Sequence, residues 1–311
     1  MVLNLPGGSE RELAAERIES PALPPAPRPR RRSPPPLGTI AGVVLFTSIW
    51  LTSVSLFRLL ALLVDLPDAP ATALATVVAV WIVRRYFAGP ALLDLGLRLR
   101  PGWLLDTALG LLLGPVMFLA ILLVLLAAGW ARVESGTIGA SGLLTAFAVF
   151  VLVSFAEEVF ARGWILQVLE RGRGTRVAVI GSSAIFAALH GFNPDFSIMA
   201  LLGLFLAGLL LGHAYVVTRQ LWLPLALHLS WNFAEGPLFG FPVSGLTGEG
   251  LLLVHPTGPE FITGGTFGPE AGAVIVVGIA IAWAALMLLG WWRARPNLAH
   301  GAPPGTIMDR P

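Results

Sequence analysis

The chain has 311 residues, 56% of them hydrophobic and 12% charged, with a mean hydropathy of +0.79. A soluble domain carries roughly twice that charged fraction, so the composition excludes one and implies an all-α, polytopic membrane bundle. Cysteine is absent, which removes disulfides, thiolate nucleophiles and Cys-ligated metals, and all twenty basic residues are arginine. A pI near 9.9 would suggest nucleic acid in a soluble protein; here the arginines gather at the ends of apolar runs, where they set orientation, and no nucleic-acid partner is expected.

Residues 1–36 form a Pro/Arg-rich tail, with Pro34-Pro35-Pro36 after Arg30-Arg31-Arg32. Such a composition cannot build a core, and the tail is expected to be disordered and cytoplasmic. The membrane domain, 37–296, reads as about eight transmembrane helices near 38–64, 71–87, 103–130, 141–169, 175–192, 197–217, 222–236 and 271–292, followed by a short C-terminal tail, 297–311. No segment has the alternation of membrane barrel strands. Gly110/Gly114 and Gly208/Gly212 are stripes for close helix packing. A Gly/Pro-rich loop, about 237–270, is expected to fold over the outer face. Nearly all arginines outside the spans fall on one side, which by the positive-inside rule puts both termini in the cytoplasm.

Within the fourth span stand Glu157, Glu158 and Arg162. Each costs a few kcal/mol or more at membrane depth, and ionisable groups there pair and mark sites. Glu158 and Arg162, four apart, share a face and can pair. Glu157 points about 100° away, free for chemistry. An ion-pair staple of all three is the structural alternative.

The fifth span brings Phe186 and His190. With a hairpin turn near Gly172-Arg173-Gly174, Glu157 and His190 are nearly equidistant from the turn and should sit level. The seventh span brings His228 and Asn232 on one face. Counted from the cytoplasmic helix ends, His228 lies about ten Å deep and Glu157 over twenty, at 1.5 Å per residue. The expectation is therefore that the fourth–fifth hairpin projects into the cytoplasm and the site lies in the cytoplasmic half of the bilayer. His213 and Arg58 read as packing or snorkelling residues. Ser154 lacks a basic partner for a nucleophile's role.

A carboxylate, two histidines and an amide are parts for hydrolysis: a glutamate base acting on water and donors for an oxyanion. His190, His228 and one glutamate could equally hold zinc, although the His-Glu-x-x-His helix is absent. Residue types do not separate the two.

Glu157-Glu158-x-x-x-Arg162, Phe186-x-x-x-His190 and His228-x-x-x-Asn232, in this order, resemble the CPBP (CAAX protease and bacteriocin-processing, or Abi) intramembrane proteases, over about 140–236. The resemblance implies a helical bundle around an endopeptidase site. Glu157 would be the water-activating base, His190 its partner, and His228 and Asn232 the oxyanion hole, with Glu158, Arg162 and Phe186 in support. The family has been labelled metalloprotease; the resemblance favours metal-free glutamate chemistry, with no cofactor expected and zinc the alternative. The expected protein is an integral protein of a bacterial inner membrane that cuts a membrane-embedded or membrane-associated polypeptide near the cytoplasmic side. A non-proteolytic scaffold or immunity-type role is the rival, and a proton-coupled transporter would predict a repeated half that the sequence lacks.

Overall fold

The structure, a computed structural model, describes residues 38–63, 68–87 and 92–295. The two expected tails, 1–36 and 297–311, lie outside these residues. α1 (Thr39–Leu63) packs on α2 (Asp68–Phe87), and a turn at Leu92–Leu95 leads to α3 (Trp103–Ala127). A strand, β1 (Ala131–Ser135), precedes the longest helix. This begins as α4 (Ala140–Glu158), runs through a π-helical stretch at Val159–Leu166 and ends as α5 (Gln167–Arg173). α6 (Thr175–Leu189) returns from it, followed by a turn at His190–Phe192 and α7 (Ile198–Thr218). α8 (Trp222–Phe233) ends in a π-turn at Ala234–Leu238. The outer loop holds β2 (Leu252–Pro256), α9 (Glu260–Thr263) and a turn at Pro269–Ala271, and α10 (Ile275–Ala294) closes the described chain.

All eight expected segments are helical, but among the described residues six helices are long and apolar enough to cross a membrane. α2, with Asp68, Arg84 and Arg85 near its ends, and α8, with 12 residues, are not among them. Twelve residues span about 18 Å, short of a hydrocarbon core of about 30 Å. The protein is an all-α integral membrane bundle with one addition unforeseen in its sequence. β1 and β2 pair antiparallel, Ala131 opposite Pro256 and Ser135 opposite Leu252. Both strands lie outside the helices, and this ladder supplies partners for backbone groups that have none within a helix.

Two apolar clusters hold the helices. One centres on Phe46 and Trp50 of α1, stacked at 4.4 Å on Trp164 and Phe160 of the π-helical stretch; Trp50 donates to Thr76 Oγ1 of α2 at 2.8 Å. The other joins Met117 and Phe118 of α3 to Leu210, Leu227, Trp231 and Leu286.

The two ends of the bundle are fixed by contacts of their own. At one end lie the β1–β2 ladder and the Arg58–Asp68 pair, 3.8 Å apart and exposed. At the other, Arg293 at the end of α10 pairs with Asp106 at the start of α3. There too Arg219 pairs with Glu170 at 2.7 Å, and Leu221 donates to the carbonyl of Gly96.

The glycine stripes do what helix packing requires. Gly110 and Gly114 of α3 admit α8, and Ser230 donates to the carbonyl of Gly110 at 2.7 Å while accepting from the N–H of Gly114 at 3.2 Å. A Cβ at Gly114 would fall 2.2 Å from the backbone carbon of Ser230, an atom that cannot move aside. Gly114→Ala is therefore expected to cost about 1–3 kcal/mol by overpacking, read as a lowered Tm in detergent. Gly139→Ala, where no atom lies within 4 Å, is the silent control.

Candidate active site

Glu157 and Glu158 stand at the end of α4, immediately before the π-helical stretch, whose residues are all buried. Such stretches often accompany functional sites. Arg162 lies inside it, fully buried. It donates to Glu158 Oε1 at 2.7 Å and to the carbonyl of Gly208 at 2.9 Å, with its guanidinium 4.6 Å from the Phe186 ring centroid. Gly208 can offer that carbonyl because its missing side chain brings α7 against Ser183 of α6, 2.8 Å from where a Cβ would stand. The stripe thus has a second task, supporting the charge network, that its spacing did not reveal.

The hairpin turns at Gly174, whose φ of 80° suits glycine. It sets His190, at the end of α6, with Nε2 3.8 Å from Glu157 Oε2. His190 Nδ1 lies 2.9 Å from the carbonyl of Phe186. A carbonyl only accepts, so Nδ1 carries a proton and Nε2 faces Glu157. His228 Nε2 lies 3.8 Å from the same Glu157 oxygen, and its Nδ1 2.9 Å from Glu158 Oε1. Glu157 Oε2 is itself buried with no hydrogen-bond partner in the protein. Phe186 packs at 4.8 Å from the His190 ring and 5.9 Å from that of His228.

All of these except Glu158 and Arg162, which back the wall, line a cavity of about 640 Å³, together with Asn232. The structure therefore gathers the seven residues picked out in the sequence, from four segments, around one space. His213 stacks on Trp283 at 5.5 Å, away from it. Ser154 is buried without a partner. Arg58 lines the far end of the cavity and pairs with Asp68.

The outer loop adds groups that sequence reasoning missed. Ser244 and Glu270 line the same cavity. Trp231 Nε1 donates to Glu270 Oε1 at 3.0 Å and Ser244 Oγ to Oε2 at 2.5 Å, while Asn193 Nδ2 donates to the carbonyl of Ser244 at 2.9 Å. Burial pushes the Glu270 carboxyl above the usual carboxylate range. The only signal in the sequence was an isolated acid just before the last apolar run.

The level of the site within the bundle follows from contacts between helices. Arg162 meets Gly208, midway along α7. Glu157 lies five residues before Arg162, roughly 7 Å nearer the β1–β2 end at 1.5 Å per residue. The site thus occupies the half of the bundle away from the arginine-rich end. The hairpin reaches past the start of α8, the offset that the residue counts required. The N–H of Leu221 is tied to Gly96, and Arg219 meets Glu170, one turn in from the hairpin tip.

Among the described residues no three His, Asp or Glu side chains are placed to hold a metal ion. Both imidazole Nε2 atoms stand 3.8 Å from one carboxylate oxygen, and the nitrogen of His228 nearest Glu158 is committed to that carboxylate.

Fold and site together define a helical membrane protein with a carboxylate–imidazole centre walled off inside the bundle. Residues 139–234 match the family described as Rce1-like, type II CAAX prenyl endopeptidase Rce1-like. This segment carries all three motifs, and over it the chain is similar to the CPBP/CAAX protease family. No curated protein matches the chain. Glu270 and the rest of the outer loop from Glu235 onward lie outside the matched segment.

Proposed function

We propose that the protein hydrolyses a peptide bond of a membrane-associated polypeptide with a water activated by Glu157. The observation that carries this reading is the buried, unpartnered Glu157 Oε2, faced by two imidazole nitrogens at 3.8 Å inside the cavity. A water seated between Glu157 and His190 gives a proton to the carboxylate as its oxygen attacks the scissile carbonyl. The carbonyl π electrons move onto oxygen, and that oxyanion accepts hydrogen bonds from His228 Nε2–H and the Asn232 amide. Glu158, paired with Arg162, accepts from His228 Nδ1–H; donation through Nε2 as well requires the imidazolium. Collapse of the intermediate breaks the C–N bond, and Glu157 returns its proton to the leaving amine.

Glu158, Arg162 and Phe186 hold this arrangement without touching substrate. We read the reaction as metal-free, so incubation with a chelator followed by its removal should leave turnover of the purified protein unchanged; loss restored by added zinc would refute this. We place the protein in a bacterial inner membrane with both termini cytoplasmic, on the arginine count.

The test compares membrane proteomes of cells carrying the wild-type protein or Glu157→Gln and sequences new peptide ends. Ends present only with Glu157 support hydrolysis. Identical ends, with a knockout phenotype rescued equally by both forms, would make it a scaffold or immunity-type protein instead.

A further inference from the structure

We propose that the active-site cavity is entered from the extracytoplasmic face and that the substrate is the extracytoplasmic flank of a membrane-anchored polypeptide. This deepens the hydrolytic reading and rests on it for the word substrate, though not for the route of entry. Three observations carry it. The first is where the cavity leads. From Glu157 its wall runs along Val153, Phe150 and Val149 of α4 toward the start of that helix, and along Trp50, Val54 and Arg58 of α1 toward that helix's end. It finishes at Asp68, Phe192 and Leu246, all at the end of the bundle marked by the β1–β2 ladder. Among the described residues that line it, none comes from the opposite end.

The second is charge. Of the twenty arginines, all but Arg58, Arg132 and Arg162 precede α1, follow α10 or lie at that opposite end. Arginine bias in short connectors assigns that end to the cytoplasm, so the cavity opens on the other side. The third is the lining itself. Its walls on α1 and α4 are apolar from Trp50 to Val54 and from Val149 to Val153, with Arg58 at the rim, while its polar floor carries Glu157, Glu270 and the two histidines. An apolar segment emerging from the bilayer fits such a channel.

The chain has no cysteine, so single-cysteine variants of the otherwise native protein report access directly. Phe192 and Leu246, 92% and 60% exposed at the cavity rim, tolerate substitution, and Arg171 serves at the opposite end. In intact cells treated with a membrane-impermeant maleimide, Phe192→Cys and Leu246→Cys should be labelled as fully as after permeabilisation. Arg171→Cys should be labelled only after permeabilisation. The reverse pattern overturns the proposal even if Glu157-dependent cleavage is found. Conversely, the expected pattern without any cleavage retains the route of entry and removes the hydrolytic reading. Where cleavage occurs, Glu157-dependent ends must map to extracytoplasmic flanks; ends on cytoplasmic flanks also overturn it.

Discussion

Glu157→Gln should lower turnover by about 10²–10⁴-fold, the typical contribution of a positioned general base, while leaving the protein folded. The amide has the shape of the carboxylate but cannot accept the water's proton. The fold should not notice. Glu157 is 27% exposed at the cavity, and the buried network beside it runs through Glu158, Arg162 and His228 without using it. The checks are single-turnover cleavage of a substrate found by peptide-end sequencing, and Tm in detergent. Turnover within a few fold of wild type in a purified Glu157→Gln protein would remove the mechanism. A large fall in Tm would mean that Glu157 is structural.

Arg162→Ala should produce the larger loss of stability, about 3–5 kcal/mol, as expected when one partner of a buried ion pair is deleted. Glu158 is fully buried, and its Oε2 already lacks a partner. Removing Arg162 takes the strongest donor from Oε1, frees the carbonyl of Gly208 and empties the space over Phe186. If charge rather than lost volume is the cause, Glu158→Gln combined with Arg162→Met should recover part of the stability, since apolar or neutral groups of similar volume remove the desolvation cost. Thermal unfolding in detergent and yield from membranes decide this. An unchanged Tm in Arg162→Ala would show that the pair contributes nothing.

Much of the site was legible because helices carry their geometry in their spacing. Four residues separate Glu158 from Arg162, Phe186 from His190 and His228 from Asn232, so each pair had to share a face. The glycine at 174 allowed a hairpin that brings Glu157 and His190 level. What spacing could not carry was anything depending on contacts between distant segments. The pairing of β1 with β2, the donation from Trp231 to Glu270 and the grip of Gly208 on Arg162 each join residues 39 or more apart in sequence, or 46 and over 100 in the other two cases. Counting along each helix required an offset between the hairpin and α8, and the connector carrying Gly96 sets it.

By itself, then, the sequence determined the membrane class, the helices and the identities of the site residues. Hydrophobic runs, helical periodicity and the cost of charge in a bilayer are local properties that composition and spacing express directly. The tertiary structure alone decided at which level the site lies, which end the cavity reaches and which loop groups complete its wall. Those depend on how helices of unequal length are offset against one another, and that offset is fixed by packing between segments far apart in the chain.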